Sequence, residues 1–195
     1  MRQLAVLVLA MIFAGTAFSQ GFGAKAGIVL NYIDTEGNGS GSFSNLKVNH
    51  TFGFSYAMVA SKNFHVQPEL NFTHLTSDEG ITNSSVKLNY IQIPVLLKGV
   101  TNNQNFSFYV GPQLSFNTKA SLTNATGKSN IEKDVNQTGF DAVVGMEYVL
   151  PMNITINARY VYGTTNVFKA EYDTFKSRHQ FGAITVGYLF RNKKK

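Results

Sequence analysis

The 195-residue chain contains no cysteine, which excludes a disulfide framework, thiol catalysis and a thiolate metal site. It also lacks any run of 18 apolar residues, the length that a helix needs to cross a bilayer. Acidic residues are few: 11 Asp and Glu stand against 17 Lys and Arg, which gives a formal net charge of +6. Much of this excess lies in the terminal run of Arg191 and Lys193 to Lys195, so it does not indicate a nucleic-acid-binding surface.

The first 19 residues carry the pattern of a secretory signal peptide. Arg2 supplies the positive charge, Leu4 to Phe13 form an apolar run, and small residues precede Gln20 at the positions that signal peptidase recognises. The apolar run is too short to span a bilayer as a helix. We therefore expect cleavage before Gln20, an exported protein, and a single domain over residues 20–195.

The rest of the chain repeats a unit of about ten residues in which every second residue is apolar. One row consists of Phe106, Phe108, Val110, Pro112, Leu114 and Phe116, and another of Phe140, Ala142, Val144, Met146, Tyr148 and Leu150. A period of two predicts β-strands with one apolar face. The predicted strands are about 22–32, 49–60, 64–76, 86–100, 105–118, 139–150, 154–162 and 178–191. Pro94 predicts a bulge or local kink in the fourth strand.

The connections between these strands alternate between short and long. Three are tight turns, at 61–63, 101–104 and 151–153, and four are polar loops, at about 34–45, 77–85, 120–137 and 164–176. This alternation is typical of bacterial outer-membrane barrels, which have short turns at one end and long loops at the other. The sequence thus predicts an all-β fold, an eight-stranded antiparallel up-and-down transmembrane β-barrel, with both chain ends on the short-turn side.

Alternation alone does not decide which face points outward, because a soluble lipocalin-like barrel has eight strands with its apolar face inward. Here the polar faces are dominated by Gly, Ser, Asn, Gln and Thr, whereas the exterior of a soluble barrel is expected to carry many charges. Aromatic residues also lie near strand ends, as in the interfacial girdles of membrane barrels. These patterns favour an apolar exterior in lipid, with a soluble exported carrier as the alternative.

An apolar exterior turns several charged residues into the lumen, mostly close to short turns. They include Lys25, Glu69, Lys98, Glu147 and Arg159. Since eight strands enclose a lumen only wide enough for side chains, opposite charges confined there are expected to pair. We predict that the two glutamates pair with the three cations and plug the lumen. The alternative is a charged selectivity ring in an open channel.

Several segments resemble a known family. They are Val66–Leu70, Leu88–Lys98, Val110–Leu114, Gly145–Tyr148, Ala158–Tyr160 and Val186–Phe190. Together they look like the porin-family outer-membrane β-barrel domain of Gram-negative bacteria, over essentially the whole mature chain. The resemblance implies an outer-membrane location, contact with outer-membrane lipid and insertion by the barrel-assembly machinery. One departure is that Phe190, the closing aromatic that this machinery would read, is followed by Arg-Asn-Lys-Lys-Lys.

The sequence shows no clear catalytic constellation, cofactor motif or metal-ligand spacing. Ser177–His179 with Asp173 or Glu171 form the only local set with the residue types of a hydrolase, and we identify no oxyanion donor. His50 and His74 are predicted near the outer rim without the spacing of metal ligands. We predict a non-enzymatic barrel with an envelope structural, adhesive or small-solute-handling role and an extracellular ligand at the long loops. An outer-membrane enzyme that uses rim residues is the alternative.

Overall fold

The structure is a computed structural model that describes residues 20–36, 48–79, 84–124, 127–131, 135–166 and 176–190. The predicted signal peptide and the terminal basic run lie outside these ranges, as do Glu171 and Asp173. Among the described residues, no helix is long and apolar enough to span a bilayer.

Nine strands account for almost all of the described chain. They are β1 (Gln20–Glu36), β2 (Val48–Ser61), β3 (Phe64–Glu79), β4 (Ser84–Val100), β5 (Phe106–Asn124), β6 (Gly127–Asn130), β7 (Thr138–Val149), β8 (Ile154–Asn166) and β9 (Lys176–Phe190). Every pairing is antiparallel, and β1 pairs with both β2 and β9. Because β4 also pairs with β5 and β5 with β7, eight strands close into a barrel and only β6 stands outside the ring. The predicted eight-stranded fold is confirmed.

Several strands extend beyond their predicted ends on the side of the long loops. The strand β5 continues to Asn124 and pairs there with β6, within the predicted third loop. The strands β1 and β8 likewise continue to Glu36 and Asn166. These strand ends contain few apolar residues, so the apolar alternation fades although the hydrogen-bonded ladder continues.

The alternating apolar rows of the strands point outward, as predicted. Phe108, Val144 and Ile184 each expose half or more of their side-chain surface, whereas Gln113 and Asn157 on the opposite faces are almost completely buried. A continuous apolar exterior of this extent would be unfavourable in water, because soluble monomers rarely expose large contiguous apolar patches. A hydrocarbon environment removes that cost.

Three prolines lie within barrel strands, and none of them produces a bulge. The predicted bulge at Pro94 is wrong: β3 and β4 pair at Pro68–Val95 and again at Asn71–Gln92 in the same register, with two positions between them unpaired. Matching gaps occur beside Pro68 in the β2–β3 ladder and beside Pro112 in the β4–β5 ladder. Each missing N–H therefore opens one ladder locally without a register shift. A bulge is observed in β5, where Thr118 is skipped in the backbone pairing with β4.

Candidate functional site

The structure brings the five predicted lumen charges together in the half of the barrel that is nearer to the short turns. They come from five strands: Lys25 from β1, Glu69 from β3, Lys98 from β4, Glu147 from β7 and Arg159 from β8. Each lies on the inward face because its neighbours in sequence point outward, which follows from the period of two.

The carboxylate of Glu69 is the centre of the first cluster, and its side chain is fully buried. Lys25 Nζ lies 2.6 Å from Oε2, and Arg159 donates from Nη1 to Oε2 at 2.9 Å and from Nη2 to Oε1 at 3.3 Å. Gln67 Nε2 donates to Oε1 at 2.8 Å and Asn71 Nδ2 to Oε2 at 3.1 Å. Both oxygens are therefore saturated with donors, as a buried carboxylate requires.

A second ion pair is linked to the first through one amide side chain. Lys98 Nζ lies 2.6 Å from Glu147 Oε1 and donates to Gln67 Oε1 at 3.0 Å. Since Gln67 uses its nitrogen to bond Glu69 and its oxygen to bond Lys98, it joins the two clusters. The result is one connected network across the lumen.

Tyr109 lies between the two clusters and fills the space that separates them. Its ring centroid is 6.0 Å from Lys98 Nζ and 5.7 Å from Arg159 Cζ, within reach of cation–π attraction to both. Its hydroxyl donates to Asn157 Oδ1 at 2.8 Å. Gly145 pairs with Tyr109 across β5 and β7, and a Cβ at that glycine would overlap the phenol ring. A glycine is therefore needed for the ring to occupy this position.

A third polar cluster lies on the loop side of the ion pairs. Gln113 Nε2 donates to Asp141 Oδ2 at 3.0 Å, and the Ser115 hydroxyl makes a short hydrogen bond to the same oxygen. With Asp141 included, three anions balance three cations among the lumen charges that the structure describes.

A cluster of buried apolar residues, the apolar layer, lies inside the barrel beyond these polar groups, and it was not predicted. Its buried members include Val29, Leu75, Leu88, Ala120, Val135, Val143, Val161, Phe181 and Ala183. These side chains point inward although the alternation assigns polar residues to that face. Consecutive apolar residues, such as Val143-Val144 and Tyr160-Val161-Tyr162, break the strict alternation and are the sequence pattern that could have revealed the layer.

Of the predicted rim residues, His50 and His74 have described side chains, whereas the side chains of Ser177, His179, Glu171 and Asp173 lie outside the described part of the structure. His50 and His74 stack on the outward face, with ring centroids 5.1 Å apart. The backbone of Ser177–His179 lies in β9, paired with Ile33–Thr35 of β1. No group of three or more His, Asp or Glu side chains among the described residues could hold a metal ion.

Comparison with known families settles which kind of barrel this is. A family model described as the outer membrane protein beta-barrel domain matches residues 4–190. The chain belongs to this family. The predicted family and the predicted outer-membrane location are thereby confirmed, and the soluble carrier is excluded. No curated protein sequence matches the chain.

Solved structures show the same fold at low sequence identity. The attachment invasion locus protein Ail of Yersinia pestis has a TM-score of 0.56 at 14% identity, over 88% of this chain and 99% of its own. A second Ail structure, in complex with the heparin analogue sucrose octasulfate, has a TM-score of 0.54 at 15% identity, over 88% and 99%. Neisserial surface protein A has a TM-score of 0.58 at 15% identity, over 87% and 97%. Identities this low show a shared fold and no more.

Proposed function

We propose that this protein is a non-enzymatic outer-membrane barrel whose lumen is plugged, and that it acts through its loop end as an envelope structural or adhesive protein. The observation that carries the proposal is the connected network that joins Lys25, Glu69, Arg159, Gln67 and Lys98 to Glu147. Together with Tyr109, these side chains occupy the cross-section of a barrel that has room for little else.

Two physical arguments favour a plug over a selectivity ring. Charges that line an aqueous pore stay hydrated and separate, whereas here each glutamate lies 2.6 Å from a lysine ammonium group. Separating a buried pair leaves an uncompensated charge, at a cost of about 3–5 kcal/mol. The apolar layer above the network, which includes Val143, Val161 and Phe181, adds a second barrier to water and ions. Small-solute passage through the lumen is therefore the least favoured of the predicted roles.

Conductance across a planar lipid bilayer tests the plug. We expect no stable conductance steps from the refolded protein, because the ion pairs and the apolar layer leave no continuous aqueous path. Lys98→Glu, which places two carboxylates together, is compared with Lys62→Glu in the turn between β2 and β3 as a matched control. Wild-type steps whose ion selectivity reverses in Lys98→Glu, and not in Lys62→Glu, would instead establish a charged selectivity ring.

The adhesive role places an extracellular ligand at the long loops, where binding residues tend to lie in rigid scaffolds. Ail, which shares the fold, has been solved with a heparin analogue, so an eight-stranded barrel can carry a polyanionic sugar. In this chain the hairpin of β5 and β6 extends the third loop and exposes Lys128.

Binding to immobilised heparin tests this role at the loop end. Replacing residues 125–130 with a short Gly-Ser turn is expected to lower heparin retention several-fold at physiological salt, since it removes the hairpin end that exposes Lys128. Lys62→Gln at the opposite end of the barrel is the control and should retain full binding. Equal retention by wild type and the loop variant would contradict the proposal, provided that both variants keep the gel mobility of the folded barrel.

A further inference from the structure

A row of polar residues crosses the outward face of four neighbouring strands just above the apolar band. His50 pairs with His74, His74 with Asn89, and Asn89 with Lys119. The row immediately below is apolar and consists of Phe52, Phe72, Ile91 and Phe116. The wall of the barrel therefore changes from apolar to basic and polar within one step along the strands.

The height of this row corresponds to the outer edge of the bilayer. About 12 residues separate it from the short turns, and at about 3.4 Å per residue with a tilt of about 40° this is a rise of roughly 30 Å. The apolar band of such barrels is about 25 Å tall. The row therefore lies at the level of lipid headgroups on the loop side of the membrane.

The bulge in β5 is what places Lys119 in this row. In the register that holds between Tyr90 and Val100 of β4, Asn89 would face Thr118, and Lys119 would point into the lumen. The extra residue shifts the pairing so that Asn89 faces Lys119, which is exposed on the exterior. Bulges commonly re-aim a side chain in this way. The Thr118 hydroxyl, which donates to the carbonyl oxygen of Asn89 at 3.1 Å, ties the bulge to β4.

The polar groups of the row are held in fixed positions around a shallow cleft. His74 Nδ1 donates to Asn89 Oδ1 at 2.5 Å, and the ring of His50 stacks on that of His74 at an interplanar angle of 26°. Lys87, one pair further out, is exposed on the same face. Among the side chains that the structure describes on the outward face of β2 to β5, none is acidic. Within the described side chains, the patch thus contains two lysines and no carboxylate.

We propose that this patch, formed by His50, His74, Asn89, Lys87 and Lys119, binds the phosphorylated headgroup of an outer-leaflet lipid. Phosphate oxygens accept charge-assisted hydrogen bonds from lysine ammonium groups and imidazole N–H groups. Lysines at the headgroup level attract anionic lipid for the same reason.

An apolar surface that the acyl chains of that lipid can contact lies directly beneath the patch. The rings of Phe52 and Phe72 stack at 4.9 Å with an interplanar angle of 15°, and they form a flat apolar face below the histidines. The headgroup therefore contacts the polar patch and the acyl chains contact the apolar face below it, which matches the order of these parts in a bilayer. Free phosphate would use only the upper part of this arrangement, so a lipid is the occupant that fits both rows.

Lipid binding to the refolded full chain in detergent tests the proposal by native mass spectrometry. The probes are diphosphorylated lipid A and the same lipid A after enzymatic removal of its phosphates. We expect the phosphorylated lipid to bind at least tenfold more tightly. The double variant Lys87→Gln/Lys119→Gln is expected to lose about tenfold in affinity for it, whereas Lys62→Gln at the other end of the barrel keeps the wild-type affinity. His50→Ala/His74→Ala, which removes the stacked pair, should also weaken binding.

Three outcomes would overturn the inference. Equal wild-type affinity for the two lipids would show that phosphate is not recognised. An equal loss in Lys62→Gln would show general charge attraction and no defined site. Displacement of the lipid by inorganic phosphate at the same concentration would assign the patch to a free anion. Gel mobility identifies the folded form of each variant, and the comparison of two lipids on the wild-type protein does not depend on any variant.

Discussion

Glu69 is the residue on which the interior of the barrel depends most. Its buried carboxylate neutralises both Lys25 and Arg159, so removing it leaves two largely buried cations without an ion-pair partner. Breaking a buried ion pair from one side costs about 3–5 kcal/mol, whereas replacing the whole cluster with apolar residues of similar volume is often neutral. Glu69 is therefore important because it neutralises the two cations, and not because its side chain fills space.

Two variants separate these effects. Glu69→Leu is expected to lower the free energy of unfolding by about 3–5 kcal/mol, measured by urea denaturation in lipid vesicles. The triple variant Lys25→Met/Glu69→Leu/Arg159→Met, which removes the charges together, should lose less than Glu69→Leu alone. A triple variant that is less stable than the single one would show that the ions contribute net stability beyond mutual neutralisation.

At the scale of the element, the seam between the first and last strands is where the barrel closes. Phe190 ends β9 and pairs with Phe22 of β1. Its ring centroid lies 5.9 Å from that of Phe22 and 4.9 Å from that of Tyr188.

Phe190→Ala tests the role of this seam. Loss of two aromatic contacts is expected to destabilise the β1–β9 pairing by about 1 kcal/mol and to lower the fraction of protein that folds into vesicles, as read from the heat-modifiable gel band. Phe108→Ala removes a lipid-facing ring of comparable exposure from β5 and is the control. If both variants fold equally well, the seam has no special role in closure.

The number of strands, the apolar and polar faces of each strand and the inward position of all five charges could be predicted from the sequence. Each of these follows from a period of two. The apolar layer around Val161 and Phe181 was missed, since strict alternation treats every inward residue as polar, although consecutive apolar residues such as Tyr160-Val161-Tyr162 mark it in the sequence. The strand β6 and the extended end of β5 were missed because these segments contain few apolar residues that could mark a strand face. The hydrogen bonds of Gln67 to Glu69 and Lys98 could not be predicted either. They depend on the register between strands, which the sequence of one strand does not give.

At the scale of the whole molecule, the interior of the barrel differs between its two ends. The turn end contains the ion pairs of Lys25 and Lys98 with their glutamates, and the loop end contains the apolar layer. We expect no conductance because the polar network and the apolar layer together block the lumen. This block depends on the whole folded interior and not on any single strand.

The position of the ion network has a consequence for how this protein can change over evolutionary time. Glu69, Lys98 and Arg159 lie toward the turns, and the links among them involve no residue of the long loops. Sequence variation at the outer surface is therefore decoupled from the forces that hold the interior together. A lineage under immune or phage pressure could exchange its loops while the scaffold keeps its stability, and the same independence makes the barrel a suitable support for displaying foreign peptides.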